Sequence, residues 1–280
     1  MYLDRSTGKL WLTPSDVTDY LGSQWLFAQR LAVARGDRVV WKSPDSGTAE
    51  ITARRGQEHE RAYLKRLESE GRTIVKIPRA TTQEEWKAAV AQTAQAMSDE
   101  SVDVIYQAHL TLDETWRGQA DFLERNDDGV FEPVDTKLAR SVKPYMVIQL
   151  GFYSDALRQI TGELPPRFHV VLGDGARATE ATNDFIHFTR ETLGAVEDFA
   201  ADAEALAATY PWPAEALALA GLDAESEAIR RADDHLTLIA GITRKQIERL
   251  AERGITTCAE LARAAPDERP EKMADSTTSA

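Results

Sequence analysis

Apolar residues recur at helical spacing along the first hundred positions and change to strict alternation in the middle of the chain. Thr13-Pro14-Ser15-Asp16 supplies an N-cap, a proline at the first helical position and an acid in the first turn. The pattern carries this helix to about Arg35 and stops it at Gly36. Gly56 to Leu67 reads as a second helix, with Ala62, Tyr63, Leu64 and Leu67 as its buried stripe and Gly71 beyond its end. Thr73 to Pro78 is a short strand, and Thr82-x-x-Glu85 is a capping box opening a helix to about Met97.

The period then shortens to two. Val104 to Leu112, Gln119 to Arg125 and Val130 to Lys137 read as consecutive strands, the last two joined by the hairpin signal Asn126-Asp127-Asp128-Gly129. Ser141-x-x-Pro144 opens a helix to about Ile160. Phe168 to Leu172 and Phe185 to Phe188 follow as strands, and an alanine-rich helix runs from Arg190 to about Thr209. The expected class is α/β, a mixed sheet with an antiparallel meander and flanking helices. Beyond Tyr210-Pro211-Trp212-Pro213 the character changes: residues 211–235 read as a connector, and residues 236–263 as two short helices around Gly254-Ile255. Residues 264–280 are polar and aperiodic, which predicts a disordered or truncated tail.

Composition narrows the picture. Hydrophobic residues are 42% of the 280, enough for a packed core. The single cysteine, Cys258, excludes an intramolecular disulfide and a thiolate cage, and no signal peptide or membrane span is legible, so a cytoplasmic location is expected. The net charge of -13 argues against a nonspecific nucleic-acid coat, but it is uneven. Residues 1–100 carry 15 basic and 14 acidic groups, residues 101–200 carry 9 and 17, and residues 201–280 carry 9 and 15. Arg54, Arg55, Arg61, Lys65 and Arg66 are candidates for a phosphate-facing patch, or for a solvated helix face paired with Glu58, Glu60 and Glu68.

The middle strands carry the chemistry. With a three-residue loop at 127–129, residue 126 faces 130 and Asp121 stands opposite Asp135, while Lys137 shares a face with Asp135. Two carboxylates roughly 4 Å apart repel by about 4 kcal/mol at an effective dielectric near 20, so a cation between them is the economical arrangement. Hard oxygen ligands suit Mg²⁺ or Mn²⁺, and Lys137 could then polarise a water or stabilise charge on a phosphate. The competing reading is an ordinary cross-strand ladder of exposed charges.

In order, the chain has Gly56-Gln57-Glu58-His59-Glu60, Gly118-Gln119-Ala120-Asp121, Asp135-Thr136-Lys137 and Gln149-x-x-x-Tyr153. This series resembles the RecB-like branch of the PD-(D/E)xK nucleases over roughly residues 12–210. The resemblance implies a restriction-endonuclease-like core and a nuclease domain over residues 1–210. It also implies metal-dependent hydrolysis of DNA phosphodiesters, on single strands or ends, in repair or recombination. His59, Asp121 and Asp135 would be metal ligands with the Thr136 carbonyl; Lys137 would activate water; Gln149 and Tyr153 would support the site and touch the DNA.

Relatives of this kind carry a helix-hairpin-helix segment after the nuclease domain and often continue into an RNase H-like or helicase domain. Residues 236–263 resemble that appendage, with Arg244, Lys245 and Arg249 available to DNA phosphates, or else form a plain packing hairpin. Such relatives also hold an iron-sulfur cluster on four cysteines. The matching positions here are Ser23, Leu217, Ala220 and Ser226, so no cluster is expected, and packing of Trp25, Leu217 and Leu222 is expected in its place. The alternative to an active nuclease is a catalytically weak module that binds DNA or a helicase partner.

Overall fold

The computed structural model describes residues 1–38, 47–201 and 222–265. A small hairpin, β1 (Tyr2–Asp4) and β2 (Lys9–Trp11), precedes α1 (Pro14–Gly22), α2 (Gln24–Arg35) and α3 (Gly47–Ser69). Then come β3 (Ile74–Lys76), α4 (Gln83–Ser98), β4 (Val104–Leu112), β5 (Trp116–Arg125), β6 (Phe131–Thr136) and α5 (Pro144–Thr161). The order closes with β7 (Arg167–Val171), β8 (Arg177–Ala181), α6 (Thr182–Ala201), α7 (Asp223–Ala232), α8 (Arg244–Ala251) and α9 (Cys258–Arg263).

Strands β3 to β8 form one six-stranded sheet in sequence order. The β4-β5-β6 meander is antiparallel, whereas β3 runs parallel to β4 and β7 parallel to β6, the latter through the α5 crossover. This is a mixed α/β core with helices against it. One face carries Ile105, Leu110, Leu123, Phe168 and Val170 under Met146, Ile148, Phe152 and Ala156 of α5. The opposite face packs Val104, Phe122, Val134 and Val171 against Tyr63, Leu64 and Leu67 of α3. The β5–β6 turn follows the expected geometry: Asn126 N donates to Val130 O (2.9 Å), Gly129 N donates to Asn126 O (3.0 Å), and Gly129 takes the left-handed φ of 83° that closes such a loop.

Several expectations are corrected. The first long helix is two, broken at Ser23, whose hydroxyl accepts from Leu26 N (3.2 Å) and so caps α2. The second helix begins at Gly47, well before Gly56. Phe185 to Phe188 is helical, because Thr182, Ile186, Thr189, Leu193, Val196 and Ala200 form one buried stripe at three- and four-residue steps. The last strand is instead Arg177–Ala181, a polar edge strand without an apolar face to announce it. The expected helix beyond Ala201, residues 211–221 of the connector and nearly all of the 264–280 tail lie outside the described residues, and the rest of the connector holds α7.

The last described segment has its own small core of Leu236, Ile239, Ile242, Leu250, Ile255 and Leu261, with α8 and α9 on either side of Gly254 (φ 76°). Trp25, Leu26 and Leu222 form a further buried cluster, and Arg38 pairs with Glu225 of α7 nearby; Leu217 lies outside the described residues. Among the described residues no helix is long and apolar enough to cross a membrane.

Candidate functional site

The β5–β6 ladder pairs Phe122 with Val134, Leu123 with Pro133 and Glu124 with Glu132, so the hairpin register leads Asp121 towards Asp135 as the loop length requires. Beyond Phe122 and Val134 the regular pairing stops. Asp121 Oδ2 accepts instead from the backbone amide (3.0 Å) and hydroxyl (3.1 Å) of Thr136, the residue expected to offer its carbonyl. A side-chain carboxylate therefore replaces a main-chain acceptor at the point where the strands part.

Asp135 is fully buried, and neither oxygen has a hydrogen bond of regular geometry; Lys137 Nζ lies 2.6 Å from Oδ2 as an ion pair. Burial first, then the charge of Asp121, pushes the Asp135 carboxyl well above the ordinary aspartate value, with Lys137 opposing. Burial pulls the Lys137 ammonium down, but the charges of Asp135 and Asp121 outweigh it and leave the amine above its usual value. Oδ1 of Asp135 is a buried acceptor without a donor, an arrangement that costs several kcal/mol when the group is charged and nothing compensates it. Hard oxygen donors, one of them orphaned, fit a hard divalent cation.

The glycine before Asp121 has a packing cause. A Cβ on Gly118 would stand 2.6 Å from Phe152 Cε1 and 2.9 Å from Tyr153 Cε1, so only glycine lets α5 lie this close to β5. Tyr153 is buried, its hydroxyl donates to Gln119 O (2.7 Å), and Gln149 Nε2 donates to that hydroxyl (3.2 Å). Burial and then the charge of Asp135 raise the Tyr153 phenol, so it stays protonated. These two residues brace the strand that carries Asp121; Gln149, half-buried, is the one with access to solvent.

No family model matches the chain, and no curated protein or solved structure is detectably similar to it. The site therefore stands on its own geometry. Among the described residues no three His, Cys, Asp or Glu side chains come together as a ready metal cage. His59, on α3, places Nε2 3.2 Å from Val171 O, the carbonyl that also accepts from Lys137 N (2.9 Å). Arg244 and Lys245 are exposed at the start of α8 and Arg249 is half-buried in its last turn, while Ser23 caps α2 and Ser226 is buried.

Three residues that the sequence reading did not select as site residues complete the surroundings. Glu60 Oε1 accepts from Tyr106 Oη (2.8 Å) and Gln107 Nε2, and burial followed by the charge of Asp121 raises its carboxyl, with Lys137 among the groups opposing. Burial and Glu60 push the Tyr106 phenol up to about 12. Gln107 has φ 60° in the middle of β4, where β4 residues on either side pair regularly with β5 and Gln107 itself does not. The sequence signal for Glu60 was its place directly after His59; Gln107, one polar residue of β4 beside His109 and Thr111, carried none.

Proposed function

We propose that this chain is a divalent-metal-dependent DNA nuclease with a RecB-like, restriction-endonuclease-like core, acting on single strands or ends. The observation that carries the reading is the buried Asp135 carboxylate, with an orphaned oxygen, set beside Asp121 where the β5–β6 ladder opens and in ion contact with Lys137. Mg²⁺ or Mn²⁺ held by Asp121 and Asp135 would neutralise both acids and lower the pKa of a water at the scissile phosphate. Lys137, in ion contact with Asp135, would polarise that water or stabilise charge on the phosphate oxygens. Thr136 fixes the Asp121 carboxylate through two donors, and Tyr153 fixes β5 through the Gln119 carbonyl. The α8–α9 segment, read as a helix-hairpin-helix, would meet the DNA backbone through Arg244, Lys245 and Arg249. Purified chain with Mn²⁺ should degrade single-stranded DNA, and Asp135→Ala and Lys137→Ala should each abolish this; equal rates in all three would remove the proposal.

A second reading is favoured by the absence of a ready three-ligand group among the described residues. It is a nuclease-like module with little turnover that binds DNA or a helicase partner. It predicts DNA binding that survives chelation and no shift in melting temperature with Mn²⁺ that depends on Asp121.

A further inference from the structure

Building on the metal-dependent reading above, we propose that Glu60, rather than its neighbour His59, is the α3 group that faces the cation held by Asp121 and Asp135. In the same proposal Gln107 adopts its left-handed backbone in order to hold Glu60 there. The two α3 side chains have different surroundings. His59 Nε2 lies against the Val171 carbonyl, which fixes the ring on the backbone beside Lys137. Glu60 is held at the strand position opposite Asp121: Gln107, which donates to it, falls between the pairs Tyr106–Phe122 and Ala108–Ala120 that bracket Asp121. Its Oε1 is gripped by Tyr106 and Gln107, from the β4 positions at and next to the gap in the β4–β5 ladder.

Gln107 makes that grip possible. A regular strand residue between Tyr106 and Ala108 would send its side chain to the face opposite Tyr106. The φ of 60° breaks that alternation, and both Tyr106 and Gln107 reach the same carboxylate oxygen on α3. The unusual backbone is held from behind: His109 Nδ1 lies 3.0 Å from Gln107 O, His109 N donates to Thr93 Oγ1 (3.0 Å), and Trp86 packs edge-on against the buried His109 ring. A strained residue fixed by this many neighbours points to a position that function requires. On the other side of Asp121 in the sheet, where the β5–β6 ladder ends, the buried Oδ1 of Asp135 has no hydrogen-bond partner and supplies the independent sign of a ligand.

Among the described residues no three His, Cys, Asp or Glu side chains stand at ligating distance, so Glu60 acts through a water of the cation's shell, which suits Mg²⁺ and Mn²⁺ because both retain several waters. Outer-shell groups of this kind change metal affinity by about ten- to a hundredfold when removed. Unlike a direct ligand, Glu60 can keep its Tyr106 and Gln107 bonds on one oxygen while the other meets the water.

The test is Mn²⁺ affinity of the full 280-residue chain, read by electron paramagnetic resonance, for wild type, Asp121→Asn, Glu60→Gln, His59→Ala and Gln107→Gly. Glu60→Gln is expected to weaken binding by about tenfold or more, His59→Ala by clearly less, and Gln107→Gly to follow Glu60→Gln. Gln107→Gly removes the side-chain grip while glycine accepts the backbone conformation, so it remains informative if Glu60→Gln does not fold. Unchanged affinity in both Glu60→Gln and Gln107→Gly overturns the inference, and so does a loss in His59→Ala equal to or larger than theirs. Wild type that binds no Mn²⁺, or binds it as well with Asp121→Asn, overturns the nuclease reading and this inference together.

Discussion

Asp135→Asn separates a carboxylate kept for a cation from one kept for the fold. The side chain is 1% exposed and Oδ1 has no donor, so the ion loses several kcal/mol of hydration. Charges about 5 Å apart, the spacing of opposed strand positions, repel by roughly 3 kcal/mol at a dielectric near 20, which sets the scale for Asp121. Lys137 at 2.6 Å offsets part of this, less than contact distance suggests because its side chain is 26% exposed. Asparagine keeps the shape and drops the charge, removing the two unfavourable effects and losing the favourable one. The expected result in EDTA is a gain of about 1–3 kcal/mol, or roughly 2–12 °C in melting temperature for a domain of this size. Mn²⁺ at a hundred times its Kd should raise wild type by about 2.7 kcal/mol and leave the variant where it was, closing or reversing the gap. Calorimetric melts of both proteins in EDTA and in Mn²⁺ read this directly. If the variant melts lower in EDTA and both proteins respond equally to Mn²⁺, Asp135 is a structural partner of Lys137 and the reasoning fails.

Other expectations follow from the same contacts. Gly118→Ala forces Phe152 and Tyr153 away from β5 and should cost about 1–3 kcal/mol by overpacking, seen in chemical denaturation, with the proposed nuclease activity falling alongside. Burial alone would raise the Asp155 carboxyl, but hydrogen bonds from Arg190 (2.7 and 2.8 Å) and Arg158 (2.6 Å) hold it below the ordinary aspartate value. A depressed folded pKa means that this stabilisation is complete above about pH 5 and fades as the pH falls through 4 and below. Asp155→Asn should therefore cost about 1–2 kcal/mol at pH 7, the arginines being well exposed, and the deficit should shrink in acid melts; a deficit that is the same at pH 3 and pH 7 would count against it. Lys245→Ala with Arg249→Ala should lower the salt dependence of DNA binding by about 1–2 in log-log slope, and an unchanged slope would leave the α8–α9 segment as packing alone.

The parts of the fold that depend on period were legible. The meander and the β5–β6 turn follow from alternation and from Asn126-Asp127-Asp128-Gly129, and that loop length alone led Asp121 towards Asp135. What escaped was set by contacts distant in sequence or by polar edges. Arg177–Ala181 alternates exposed and half-buried positions and joins the sheet only through β7, so nothing in its composition marks a strand. Phe185 to Phe188 has strand-favouring residues, yet burial against α5 selects the helical stripe running from Thr182 to Ala200. At the site, Asp135 and Lys137 were readable from spacing. Gln107 was not, because a positive φ in mid-strand leaves no local sequence mark unless glycine or asparagine occupies it.

Gln107 also sets the phase of the sheet. Before it, the odd position Ile105 belongs to the α5-side core and Val104 to the α3-side cluster; after it, the even positions Ala108, Leu110 and Leu112 take the α5 side. β5 makes the same slip between Phe122 and Ala120, so the register with β4 continues unbroken on both sides of the defect. The residue of β5 at that slip is Asp121. Neither core claims its side chain, and a buried sheet has thereby made room for an acid without giving up an apolar position. A redesign that restored ideal alternation to both strands would turn half of each inside out and close the gap in the ladder beside that acid.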